Sequence, residues 1–104
     1  MNRAFISQPM TGHSEEEVAA TRKRAETAVR KLGYEPAEQV FAKGDWCLAF
    51  QLQQLGEAYK VMSGCDLVYL CSGWRNSKGC RMEELAAWAY GIKIMEEPEN
   101  GEAN

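Results

Sequence analysis

The sequence predicts an α/β fold, three layers deep, built on a small four-stranded parallel sheet. Three observations carry that reading. A short apolar segment, Ala4-Phe5-Ile6-Ser7, runs at once into a Pro/Gly loop and then into an amphipathic helix. Asp66-Leu67-Val68-Tyr69-Leu70-Cys71 is apolar without alternation after its first residue, the pattern of a strand covered on both faces. Strand-like and helix-like segments alternate along the chain, and right-handed crossovers turn that order into a doubly wound sheet.

Each element has its own signal. Gln8-Pro9-Met10-Thr11-Gly12 closes the first strand. Ser14-Glu15-Glu16-Glu17 fits a capping box, and Val18, Ala25, Ala28, Val29 and Leu32 follow near-helical spacing. Three glutamates open this helix and Arg30-Lys31 close it, as the helix dipole prefers, with Gly33 as the left-handed stop. Tyr34-Glu35-Pro36 is the second strand by position, and residues 37–46 are irregular, with Gly44-Asp45 a turn or a helix start.

A second helix is expected over Cys47 to Met62, with Leu48, Leu52, Leu55, Tyr59 and Met62 as one inward stripe. Ser63-Gly64 ends it, and the segment from Asp66 to Cys71 is the third strand. The polar stretch from Ser72 to Gly79 reads as a loop. A third helix is expected over Cys80 to Tyr90, with Met82, Leu85, Ala86 and Ala89 inward and Gly91 as its stop. Ile92-Lys93-Ile94-Met95 is the last strand. The folded domain is thus expected over residues 1–95. Residues 96–104, acidic and carrying Pro98 and Gly101, are expected to form a flexible tail. The order β-α-β-α-β-α-β matches a flavodoxin-like, Rossmann-like three-layer sandwich.

Length and charge narrow the function. A chain of 104 residues makes one domain, so any site is a surface cleft or is completed by another subunit. The formal net charge of -3 argues against a nucleic acid polymer as partner while leaving room for a local anion site. No apolar run approaches the ~20 residues of a membrane span, and the first residues do not look like a secretory leader. A cytoplasmic protein with reduced thiols is expected. Cys47, Cys65, Cys71 and Cys80 form no C-x-x-C pair, and His13 is the lone histidine, so no metal site is expected.

In doubly wound sheets ligands bind beyond the carboxyl ends of the strands. That edge collects Ser7 to His13, the segment after Pro36, Cys71 to Arg75, and the start of the third helix. Glu83 is expected in the first turn of that helix, where free amides and the dipole would keep it ionised as a nucleophile. A purely structural role as an N3 glutamate after a Cys80 cap is the alternative. Glu84 points about 100° away, so only one of the pair faces a cleft. Ser7, Gln8 and Thr11 are candidates to bond a sugar or phosphate, with Gly12 allowing close approach. The alternative is a simple strand-to-helix turn. His13 is either a proton carrier or a solvated residue before the cap. Ser72, Gly73, Trp74, Arg75 and Ser77 form a second candidate wall, in which Trp74 stacks on a base and Arg75 or Lys78 attracts phosphate. The alternative is a loop anchored by its aromatic ring.

Three stretches carry a family resemblance: Phe5-Ile6-Ser7-Gln8-Pro9-Met10-Thr11-Gly12, Ser63-Gly64-Cys65-Asp66-Leu67-Val68-Tyr69-Leu70, and Gly79-Cys80-Arg81-Met82-Glu83-Glu84-Leu85-Ala86-Ala87. In order and spacing they resemble the nucleoside 2-deoxyribosyltransferase-like superfamily, closest to its short members from bacteria and their phages, over about residues 4 to 95. The resemblance implies a nucleophilic role for Glu83, attacking the anomeric carbon of a nucleoside or nucleotide. It implies a ligand site from Ser7, Gln8, Pro9, Met10, Gly12, Gly73, Trp74, Ser77 and Gly79, and no cofactor. Two departures stand out: Asn76-Ser77-Lys78 and Cys71-Ser72-Gly73 lack the aspartates that such transferases tend to carry there. A nucleotide-binding domain without turnover, or an oligomeric scaffold, are the other readings. Trp46, Trp88 and Tyr90 are expected in the core or at an interface. Trp88, Tyr90 and Phe50 are the residues expected at the contact of a homodimer or a higher homo-oligomer.

Overall fold

The computed structural model describes residues 2–39 and 47–98. Its elements are β1 (Arg3–Ser7), α1 (Glu15–Lys31), β2 (Glu35–Pro36), α2 (Leu48–Met62), β3 (Leu67–Leu70), a short 3-10 turn (Trp74–Asn76), α3 (Lys78–Tyr90) and β4 (Lys93–Glu96). The sheet is four-stranded and wholly parallel, in the order β2-β1-β3-β4. The chain is therefore the expected α/β three-layer sandwich. Gly44-Asp45, Trp46 and the end of the tail fall outside the described residues.

The two faces of the sheet build two cores. Ala4, Ile6, Leu67, Tyr69 and Cys71 pack with Ala25 and Val29 of α1. Phe5, Val68 and Leu70 pack on the other side with Met62 of α2 and Cys80 and Ala87 of α3. Alternate residues of β1 and β3 thus serve opposite layers, which is why neither strand alternates in polarity. The capping box at α1 forms as read: the Ser14 hydroxyl accepts from the Glu17 amide at 3.1 Å, and the Ser14 amide donates to the Glu17 carboxylate at 2.8 Å.

The edge strand β2 is only two residues long; the Glu35 and Ala37 amides donate to the Asn2 and Ala4 carbonyls at 2.9 Å, and Pro36 between them leaves no N–H on the open edge. Gln39 extends the pairing with its side chain. Its amide nitrogen donates to the Ile6 carbonyl and its oxygen accepts from the Ile6 N–H, both at 3.1 Å. Arg22 of α1 holds this arrangement, donating to Gln39 at 2.8 Å and to the Ala37 carbonyl at 2.8 Å.

Several expectations are corrected. Helix α3 starts at Lys78, and its N-cap is Ser77, whose hydroxyl accepts from the Cys80 amide at 3.3 Å. Cys80 is therefore inside the helix and is not its cap. The inward stripes of the second and third helices are also different. Leu48, Leu52, Tyr59, Met82 and Leu85 are exposed, as is Ala89, while the buried positions of the two helices are Met62, Cys80 and Ala87. Both helices are apolar around more of their circumference than one chain covers, so spacing alone could not say which apolar side meets the sheet. The last strand runs to Glu96, and Glu97 is buried, so the flexible tail does not begin at residue 96.

Candidate functional site at the carboxyl edge of the sheet

Strand order reverses between β1 and β3: the chain leaves β1 for β2 on one side and returns to β3 on the other. In open α/β sheets this point leaves a crevice beyond the strand ends. Ser7 ends β1 there, Cys71 follows β3 there, and α3 begins there. Across this gap the Ser7 hydroxyl donates to the Glu83 carboxylate at 2.6 Å, a contact between residues 76 apart in sequence.

Glu83 differs from its expectation in both position and charge. With Ser77 as cap it is the sixth residue of α3, beyond the free amides of the first turn. Burial raises its pKa to about 7, against the smaller downward pull of the Ser7 hydrogen bond. It is therefore half protonated near neutral pH, where the sequence suggested a fully ionised group. Burial also raises the Cys80 thiol, against hydrogen bonds with Ser7 and Ser77. Burial, followed by the charge of Glu97, pushes the Cys71 thiol up to about 12, which makes it an inert packing residue.

Two loops meet above this contact. Gly73 adopts φ +86°, and a Cβ placed on it would lie 3.7 Å from the Pro9 ring, so the loop after β3 touches the loop after β1. Gly12 has φ +84°, and neither Gly12 nor Gly79 has any heavy atom within 4 Å of the place a Cβ would occupy. The Met10 carbonyl accepts from the His13 amide at 3.1 Å and tightens the first loop. Gln8 is buried. Its side-chain nitrogen donates to the Val18 carbonyl at 3.0 Å, and its oxygen has no hydrogen-bond partner among the described residues.

Other candidates are drawn away from the crevice. Trp74 is buried, with its indole N–H donating to Glu96 at 3.0 Å, so it is not the exposed stacking platform the loop composition suggested. Arg75 lies over that ring, 4.7 Å from its centroid, and pairs with Glu96 at 3.2 Å. The cation expected to attract phosphate is therefore partly neutralised. His13 is exposed, 3.8 Å from Glu17. Phe50 is half-buried.

The residue that sequence reading missed is Glu97. Its carboxylate pairs with Arg24 of α1 through two hydrogen bonds, one of them 3.1 Å, and accepts from the Ser72 amide at 2.8 Å. Its own amide donates to the Leu70 carbonyl at 2.8 Å. Burial opposes its charge, but the Arg24 and Ser72 donors prevail and hold its pKa below the usual carboxylate value. Glu97 thereby ties the loop after β3 to α1. No local signal marks it in an acidic stretch, because its partners lie 25 and 73 residues away.

Among the described residues no group of three or more His, Cys, Asp or Glu side chains is arranged to hold a metal ion. No described helix is long and apolar enough to cross a membrane. A polar hollow of about 500 Å³ lies between α1 and β2, but its charged walls pair internally, Arg22 with Glu26 at 2.9 Å and Arg30 with Glu35 at 3.7 Å.

Comparison with known proteins gives a family without an assigned activity. The profile described as "Domain of unknown function (DUF4406)" matches residues 2–96, nearly the whole chain, and the chain belongs to that family. No curated protein and no solved structure matches it.

Proposed function

We propose that this member of the DUF4406 family is a nucleoside or nucleotide N-glycosyl hydrolase or 2-deoxyribosyltransferase, with Glu83 as nucleophile. One observation carries the reading: a half-buried carboxylate, oriented by the Ser7 hydroxyl, at the switch point of a parallel sheet. A carboxylate so placed suits attack on a sugar carbon whose transition state carries positive charge, because burial strengthens the attraction between the two. The loops from Ser7 to Gly12 and from Ser72 to Gly79 form the walls that hold the sugar and base.

In the first step a Glu83 oxygen bonds to the anomeric carbon as the carbon–nitrogen bond breaks. The base leaves with the bonding electrons and takes a proton from water. In the second step water, or the nitrogen of another base, attacks the same carbon and frees Glu83, and its proton passes to solvent. The reaction needs no metal or organic cofactor. Only the ionised form of Glu83 is nucleophilic, so the rate should fall as the pH drops through about 7.

A second reading, a nucleotide-binding domain without turnover, is favoured by one feature. The stretches Asn76-Ser77-Lys78 and Cys71-Ser72-Gly73 bring no carboxylate to the crevice that could protonate a leaving base. The experiment is incubation with a panel of nucleosides and 5′-monophosphates, followed by chromatography for free base. Base released by the parent and not by Glu83→Gln supports the enzyme. Release by neither, with a nucleotide-dependent rise in melting temperature, supports the binder.

A further inference from the structure

The last strand ends on two adjacent glutamates, and strand alternation turns them to opposite faces of the sheet. Met95 packs in the core under α1, and Ile94 packs with Trp74 in the other core. Glu97 follows Met95 and pairs with Arg24 of α1, while also accepting from the Ser72 amide at 2.8 Å. Glu96 follows Ile94. It accepts from the Trp74 indole at 3.0 Å and pairs with Arg75 at 3.2 Å. The loop after β3 is thus held at its first residue from one face and two residues further on from the other. The strand end that holds it is itself fixed, since Leu70 pairs with Glu96 and its carbonyl accepts from the Glu97 amide.

Gly73 lies between the two grips. With φ +86° it brings the loop against the Pro9 ring, 3.7 Å from where a Cβ would stand. Pro9 follows closely on Ser7, whose hydroxyl holds Glu83 at 2.6 Å. The two contacts of Glu96 are not equivalent. Arg75 is 62% exposed and the Glu96 side chain 46%, so their pairing is a surface ion pair of small weight. Trp74 is 8% exposed, so its N–H has little water to turn to, and losing its acceptor leaves a buried donor unpaired. The indole bond therefore does most of the holding. We propose that Glu96 is a positioning residue of the ligand site: through the Trp74 indole it fixes the loop from Ser72 to Asn76 against Pro9, and so sets the wall of the crevice above Glu83. Its consequence for a ligand rests on the reading that these two loops wall the site, whereas its consequence for the loop does not.

The test compares Glu96→Gln, Glu96→Ala, Trp74→Phe and the double variant Glu96→Ala/Trp74→Phe. In nuclear magnetic resonance spectra of the parent, the Trp74 indole N–H, assigned by its loss in Trp74→Phe, should be protected from solvent exchange. A nuclear Overhauser contact should join Gly73 to the Pro9 ring. Glu96→Gln keeps an oxygen for the indole and should keep both signals. Glu96→Ala should lose the protection and the contact with unchanged far-ultraviolet circular dichroism. Base release should divide the same way: Glu96→Ala raises KM by roughly tenfold with kcat within about twofold, and Glu96→Gln stays near the parent. Without turnover, the Kd of a nucleotide replaces KM. Trp74→Phe removes the same bond from its other end, so it should show the same loss, and the double variant should be no worse than either single one. Should Glu96→Ala fail to fold, Trp74→Phe decides on the same contact and the same KM. Retention of the Gly73–Pro9 contact in the variant that lacks the bond overturns the proposal. Loss of the contact with unchanged KM or Kd overturns it equally, as do losses that multiply in the double variant. A parent that neither releases base nor binds a nucleotide overturns the reading of the site instead, and the resonance signals then decide on Glu96 alone.

Discussion

Two carboxylates, Glu97 buried and Glu83 half-buried, lie near the carboxyl edge of the same sheet, and their surroundings drive them in opposite directions. Glu97 meets a guanidinium and a backbone amide and stays charged. Glu83 accepts from the Ser7 hydroxyl, and loss of water around it lifts it to about 7. A carboxylate whose hydrogen bonds are satisfied by a cation holds structure together. One that loses water and finds a neutral donor in place of a cation is held at a cost, and such groups concentrate where chemistry is done. The difference separates a structural latch from the group that the proposed reaction would use.

The strongest way to break the comparison is to neutralise each carboxylate in turn. On the proposed chemistry, in which Glu83 is the nucleophile, Glu83→Gln should lower base release by several powers of ten and leave the fold intact. Glu97→Gln should keep most of that activity. If chromatography shows the two variants equally impaired, the division of roles fails.

Stability against pH gives the next largest effect. The folded pKa of Glu83 is raised, so its neutral form is favoured by folding. Its contribution is full below the unfolded value of 4.5 and is lost as pH rises through about 7. The loss approaches about 3 kcal/mol at most, at 1.36 kcal/mol per pH unit. Urea unfolding of Glu83→Gln should therefore match the parent below pH 4.5 and exceed it at pH 8. Glu97 has the opposite sign. Its folded pKa is lowered, so its contribution is present above 4.5 and disappears as pH falls through its folded value.

Removing the latch should cost less. Glu97→Ala removes the carboxylate that accepts from the Ser72 amide and from Arg24, but Arg24 is half exposed and regains water. A loss of about 1–3 kcal/mol is expected in urea midpoints at pH 7, and a change below about 0.5 kcal/mol would remove Glu97 from the fold's supports. The smallest effect is expected from Ser7→Ala. Its hydroxyl pulls the Glu83 pKa down, so its loss should move the acid limb of the pH–rate profile upward. A limb that stays in place would mean that the 2.6 Å contact does not set the ionisation of Glu83.

Element type and order were legible along the chain because they rest on local chemistry. Ser14 and Glu17 form a cap within four residues, Gly33 and Gly91 take positive φ where the helices end, and the run from Leu67 to Leu70 is apolar because both faces are covered. Glu83 could be singled out as a candidate because a carboxylate near the start of a helix after a central strand reaches the binding edge by topology alone. Its protonation could not be read, because burial and the Ser7 contact come from segments 76 residues apart. The same limit hid Glu97, whose charge is fixed by Arg24 and the Ser72 amide, and Gln39, which mimics a strand only once Ile6 lies beside it. It also hid which apolar side of α2 and α3 meets the sheet. Local pattern reports what a segment can form. Which groups lose water, and against which partners, is decided only when distant segments pack together, and that packing sets the charge of Glu83 and of Glu97.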